Sequence, residues 1–230
     1  MLRLATKFRP NVSAFEIAVR AGFHHAELWT DAALLLDWQQ IAQLAQQYSL
    51  DYALHFPNRL DQPIEVLTGA VELYRALNAS ALVLHQEHFT RYGKTLRYLH
   101  PEIRLAVENH RIPSVSHWAD LNPGLALDVE HLWMFGNQHL MLDNFLSIVR
   151  DLLHSYSFKL YHVHLPGYLP GYPEHRPMYC SRDLVYGVFD LLREIAYQGL
   201  VVSEANEEFQ NGYDLRMDVL LFQKWIERCK

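Results

Sequence analysis

Seven apolar runs in this 230-residue chain finish on a side chain that can hold a metal ion or move a proton. "HHAELWT" offers Glu27, "DYALHFP" offers His55, "SALVLHQ" offers His85 and "IRLAVENH" offers Glu108. "GLALDVEH" carries Asp128 and His131 three residues apart, "KLYHVHLP" carries His162 and His164 two apart, and "GLVVSE" ends in Glu204. Carboxylates and imidazoles brought to one place repel or lose hydration unless a positive charge holds them together. A divalent cation is the simplest such charge. Imidazole and carboxylate ligands together suit Zn, Mn, Fe, Co or Ni, with Mg also compatible. Taken singly, such a group is more often a hydrogen-bonded structural residue than a ligand. Glu27, for example, could pair with a rim cation such as Arg3 or Lys7.

Whether these groups meet depends on the elements that carry them. Period-two and period-3.6 patterns alternate along the chain. "LRLATKF" reads as a first strand, and Asn11 to Ala21 as a helix with Ser13 as cap and Gly22 as stop. Helical patterns follow in "DWQQIAQLAQQYSL", residues 63 to 78, "DNFLSIVRDLLHSY", residues 181 to 198, and from about Tyr213 to the end. Between the fourth, fifth and sixth strands the spacing is tighter, which predicts shortened crossovers after strands four and five, each with one short helix or less. Eight strand-helix units rich in Val, Leu and Ala predict a parallel sheet covered by helices. In residues 1–230 they fit one compact α/β domain, a single (β/α)8 TIM barrel, whose active site lies at the C-terminal strand ends. An open doubly wound sheet is the alternative, without a Gly-x-Gly-x-x-Gly turn to support it.

Composition narrows the function classes. Half the residues are hydrophobic and the net charge is -6, which argues against a broad nucleic-acid surface. No apolar run reaches the length of a bilayer span, and "MLRLATKFRP" does not read as a secretory signal. With two widely spaced cysteines, Cys180 and Cys229, a cytoplasmic setting is the expectation.

The ordered series Glu108, Asp128, histidine and Glu204, with "AGFHHAELW" and "QGLVVSEAN" at the turns into strands two and eight, resembles the xylose isomerase-like barrels across essentially the whole chain. That superfamily includes sugar isomerases, sugar epimerases and endonuclease IV. The resemblance implies a shared metal site of Glu108, Asp128, His164 and Glu204, because the histidine-leucine pattern in "YHVHLPG" selects His164. His55 and His85 match histidines that endonuclease IV-like members add for a second ion. His131 matches a histidine that touches substrate in ketose epimerases, and His175 matches one in the loop after strand seven. Endonuclease IV-like members carry an aspartate where Pro173 stands, and epimerases a second carboxylate where Ser114 stands.

The resemblance therefore implies a metal-dependent isomerase or epimerase of a small sugar, sugar phosphate or polyol, with one or two divalent ions (Zn, Mn, Fe, Co or Mg). Glu108 and Glu204 would be the catalytic pair. His131, His175, Arg176, Glu27 and His162 would contact substrate, with Trp29, Phe56 and Trp133 as pocket walls or rim packing. The partner is then a carbohydrate, with no nucleic acid or membrane, and a homo-oligomer is common among such barrels. The alternatives are a di-metal phosphodiester hydrolase and a metal-binding barrel without catalysis. The loop "LPGYLPGYPEHRPMYCSRD" is either a lid carrying Tyr168, Tyr172 and His175 over the site or a surface loop packed by its own tyrosines.

Overall fold

A computed structural model describes residues 2–60, 63–112 and 114–229. Eight strands close into a barrel in sequence order, each parallel to its neighbours: β1 (Arg3–Phe8), β2 (His25–Trp29), β3 (Asp51–His55), β4 (Leu82–His85), β5 (Leu105–Glu108), β6 (Leu125–Asp128), β7 (Leu160–His164) and β8 (Leu200–Ser203). The (β/α)8 architecture expected from the patterning is the one observed. The crossovers carry α1 (Val12–Ala21), α2 (Ala32–Leu36), α3 (Trp38–Ala45), α4 (Pro63–Ala76), α5 (Gln86–Leu99), α6 (Val115–Leu121), α7 (Val129–Leu132), α8 (Leu142–Tyr156) and α9 (Arg182–Glu194), and α10 (Gly212–Arg228) follows β8. Among the described residues no helix is long and apolar enough to cross a membrane.

Local chemistry explains the boundaries. Asn11, rather than Ser13, caps α1, accepting a hydrogen bond from the Ala14 N–H, and Gly22 ends it at φ +100. The crossover after β5 is short, as expected, with seven residues in α6. The crossover after β4 is not: α5 runs for 14 residues. It fits because β4 is only four residues long and the helix begins immediately after His85.

Strand alternation sets what faces the barrel axis, since residues two apart share a face. The outward set, including Leu28, Leu54, Leu84, Val107, Leu127, Val163 and Val201, packs under the helices in the main core. The inward set is small at mid-barrel: Ala5, Ala53, Leu200 and Val202 form one cluster, and Ala81, Val83, Ala106 and Ala126 another. Two residues further along most of these strands the inward position becomes ionisable: Lys7 after Ala5, His55 after Ala53, His85 after Val83, Glu108 after Ala106, Asp128 after Ala126 and Glu204 after Val202. Small side chains fill the narrow barrel, and the polar groups gather on top of them at the C-terminal rim.

Candidate metal centre and substrate cavity

The rim groups converge on His164. Its Nδ1 lies 2.7 Å from Glu204 Oε2, 3.8 Å from Asp128 Oδ2 and 3.8 Å from Glu108 Oε2. His164, Asp128 and Glu108 are buried, and Glu204 is largely so. On the other side of the ring, His164 Nε2 lies 3.0 Å from Glu27 Oε2, which also bonds His162 Nε2. Lys7 Nζ meets Glu27 Oε1 at 3.3 Å and Glu204 Oε1 at 2.5 Å. A carboxylate behind a ligand imidazole fixes its tautomer and ring plane, as in many metal sites.

Asp128 and His131 show why the spacing in "ALDVEHLW" matters. Asp128 caps the one-turn helix α7, its Oδ1 accepting the His131 N–H at 2.7 Å. That leaves Oδ2 pointing inward, 3.2 Å from His131 Nδ1, which is also 3.3 Å from Glu108 Oε1. Asn109 locks the β6 end from its neighbour, donating to the Asp128 carbonyl at 2.9 Å and accepting the Asp128 N–H at 2.6 Å. Next to this, His55 Nε2 and His85 Nε2 approach Glu108 Oε2 at 3.1 and 3.6 Å. His55 Nδ1 is 2.9 Å from the Phe56 carbonyl, and the His85 ring lies flat against His110, centroids 4.6 Å apart.

The donor set fits a divalent cation. Asp128 Oδ2, His164 Nδ1, Glu204 Oε2 and His131 Nδ1 are buried and lack a hydrogen bond of acceptable geometry, though they crowd one another. Buried polar atoms of a native protein are otherwise nearly always paired. Glu108, Asp128 and His164 each offer a ligand atom within 4.8 Å of the others, as do His55, His85 and Glu108.

The protonation pattern has the same origin. Burial alone would raise the Glu27 carboxyl, but His164, Lys7 and His162 hold it well below the usual range. Burial likewise opposes ionisation of Glu204, which His164 and Lys7 hold low. Burial works against a charged His131, yet Asp128 and Glu108 raise it to about 9. His85 goes the other way, down to about 3, through burial and the nearby His55 and His110.

Above the ligand set opens a cavity of about 640 Å³, lined by Lys7, Trp29, His55, His85, Glu108, His110, His131, Glu174, His175 and Glu204 among others. His175 is held over it in the left-handed region, φ +59. Its N–H donates to Glu130 Oε2 at 2.9 Å and its carbonyl accepts the Asn206 N–H at 2.7 Å. Glu130, fully buried, is raised to about 8 by burial and by Asp128.

Four expected substrate contacts lie elsewhere. Glu27 and His162 are wholly buried behind His164, because the β2 and β7 positions that carry them lie below the rim. Trp133 stacks on Phe145, centroids 4.5 Å apart, and leans on Tyr168; it belongs to the helix layer, not the cavity. Arg176 is turned away, its guanidinium over the rings of Tyr172 and Phe209. Phe56 is also buried, against His88 and Tyr92, so of the three aromatics only Trp29 reaches the wall. The long loop divides likewise. Gly167 and Arg176 pair at its base, where a Cβ on Gly167 would fall 2.0 Å from the Pro177 carbonyl oxygen. Tyr168 is buried, Tyr172 is exposed, and His175 alone of the three lines the cavity.

His110, Asn109, Glu130 and Glu174 are site residues that the strand-end reading passes over, and Lys7, named there only as a partner for Glu27, contacts Glu204 as well. Lys7 was findable by its alternation with Ala5, and His110 by its place two residues beyond Glu108. Glu130 and Glu174 have no local signature, since each reaches the site through the contacts of His175 and His131.

Comparison with known proteins places the fold. The chain is similar to a D-tagatose 3-epimerase-like protein at 16% identity, over 98% of this chain and 97% of that one, with a TM-score of 0.69. It is similar to D-allulose 3-epimerase from Methylomonas sp., solved in complex with D-allulose, at 16% identity over 97% and 96% of the two chains, TM-score 0.63. Phosphoribosyl anthranilate isomerase from Thermotoga maritima is a more distant neighbour, at 13% identity over 97% and 100%, TM-score 0.58. No family model and no curated protein matches the chain. At these identities the likeness is one of fold.

Proposed function

We propose that residues 1–230 act as one domain, a metal-dependent isomerase or epimerase of a small sugar or related hydroxy-carbonyl compound, working at the C-terminal mouth of the barrel. The observation that carries this reading is the His164 Nδ1 facing Glu204, Asp128 and Glu108 at 2.7, 3.8 and 3.8 Å, buried beneath a cavity that Glu108 and Glu204 line. A divalent ion held by Glu108, Asp128, His164 and Glu204 would polarise a carbonyl oxygen and offset developing enediolate charge. The epimerase neighbours of like fold support the choice of substrate class.

The protein's own groups do the proton work. Glu108, the last residue of β5, and Glu204, the residue after β8, would act as a base and acid pair for the carbon next to the carbonyl. His131, beside Glu108, and His175 at the rim are placed to hold substrate hydroxyls. Trp29 and the loop that carries His175 narrow the mouth and limit water.

The His55–His85–Glu108 cluster favours a second reading, a two-ion phosphodiester hydrolase. One experiment separates the two. The protein, supplied with Mn²⁺ or Co²⁺, is incubated with a panel of ketoses and aldoses in D₂O, and in parallel with an aryl phosphodiester. Deuterium entering the carbon beside the carbonyl, followed by NMR, is the expected result. Phosphodiester cleavage without exchange in any sugar overturns the proposal.

A further inference from the structure

Lys7 is, among the described residues, the one lysine or arginine that is buried. It shares the inward face of β1 with Ala5 and stands in the cavity wall. Its Nζ contacts Glu204 Oε1 and Glu27 Oε1 at 2.5 and 3.3 Å. The opposite oxygens of the same two carboxylates grip one imidazole from its two sides: Glu204 Oε2 faces His164 Nδ1, and Glu27 Oε2 faces His164 Nε2. Lys7 therefore ties together the outer oxygens of a carboxylate–imidazole–carboxylate chain, in which Glu204 Oε2 and His164 Nδ1 face the candidate metal position and Glu27 Oε2 braces the far side of the ring.

Four carboxylates, Glu27, Glu108, Asp128 and Glu204, share this region with the buried Lys7, while Arg9, the other cation of the cavity lining, is exposed and paired with Asp31. From this geometry we infer that Lys7 is a positioning residue for the ion: it holds Glu204 to one-oxygen ligation and compensates the ligand carboxylates when no ion is bound. The inference rests on the metal-centre reading above. It sets two effects against each other. The cation of Lys7 stabilises the ion-free ligand set, and it weakens ion binding, both by repelling a second cation and by occupying Glu204 Oε1. A salt bridge that merely supports the barrel has no such second effect.

The test uses the full chain freed of metal, with Mn²⁺ as the probe. Mn²⁺ affinity is measured by titration calorimetry, and thermal midpoints are recorded with and without saturating Mn²⁺. Lys7→Met keeps the length of the side chain and removes its charge. The expected result is Mn²⁺ binding tighter than wild type by about tenfold or more, as Coulomb repulsion at this range requires. Its ion-free midpoint is expected to fall, and saturating Mn²⁺ to recover most of that loss. Lys7→Arg retains the charge and is expected to bind Mn²⁺ close to the wild-type affinity. Lys7→Gln, which keeps a hydrogen bond to Glu204, is the milder second variant and should show both shifts in smaller measure. Unchanged or weaker Mn²⁺ affinity in Lys7→Met and Lys7→Gln, with equal loss of midpoint in both forms, makes Lys7 an ordinary structural pair and overturns the inference. Wild-type protein that binds neither Mn²⁺ nor Co²⁺ overturns the metal-centre reading itself, a failure seen before any variant is compared.

Discussion

On the flank formed by β6, β7, β8, β1 and β2, the inward groups have partners behind them. Glu27 backs His164, Lys7 backs Glu204, and Asn109 clamps the backbone of Asp128. On the flank formed by β3, β4 and β5 the groups lean on one another instead. His85 stacks on His110 and makes only long contacts with Glu87 and Glu108, and His55 finds a backbone carbonyl and Glu108. The first flank fixes ring planes and charge in advance, which is what ion binding needs. The second keeps His85 and His110, both pushed down by burial, in a cavity wall, a character suited to a substrate or a more weakly held second ion. Burial and neighbouring imidazoles depress His85, while carboxylates raise His164 in spite of its burial, so the two flanks differ in charge as well as order.

The sharpest way to break the comparison is His164→Ala, which removes the group shared by both layers of the backed flank. Bound metal, counted by mass spectrometry on chelator-free protein, is expected to disappear, and turnover with it. On the other flank, the double change His55→Ala and His85→Ala should leave one ion per chain in place. Turnover is expected to fall by roughly 100-fold, the scale of a lost acid–base or positioning group. Loss of a counted ion in that variant would instead move the protein toward the two-ion hydrolase. Glu27→Gln tests the backing alone: ion affinity should weaken about 10- to 100-fold, without loss of the fold by circular dichroism.

A buried carboxylate without a cation offers the contrast. Asp218 accepts hydrogen bonds from the Ser203 hydroxyl at 2.5 Å and the Tyr179 N–H at 3.1 Å, and burial pushes it up to about 6. Its folded value lies above its unfolded one, so the folded state holds the proton more tightly. Stability therefore falls as pH rises from about 4 to about 6 and stays reduced above that, by up to about 3 kcal/mol. Asp218→Asn should flatten this dependence in thermal unfolding and stabilise the protein at pH 7 relative to wild type. Smallest of all, Arg176→Met should cost about 1 kcal/mol through its two ring contacts and leave KM unchanged.

The strand-end groups were legible because period-two alternation is a local property. Small residues at Ala53, Ala106 and Ala126 and an acid or histidine two positions later mark both the inward face and its rim. The same rule places Lys7. It cannot separate a group at the rim from one a layer below. His162 and His164 share a face, and so do Glu27 and Trp29, yet only the height of each strand within the barrel decides that His164 meets the ligand carboxylates and Trp29 the cavity, with His162 and Glu27 a layer behind. The helix after β4 is longer than the spacing predicts for a related reason: its start at Gln86 depends on how early the strand ends.

From the sequence alone come the eight alternating units, the parallel barrel they close and the series of ionisable groups at its mouth, because each follows from short-range patterns of side-chain type. Tertiary structure alone decided that Glu27 and Lys7 brace His164 and Glu204, that Glu130 and Asn206 hold His175 over the cavity, and that Trp133 and Arg176 turn away from it. Those relations join residues as much as 197 positions apart. They are set by barrel closure and by the stagger of strands around it, which no local pattern encodes.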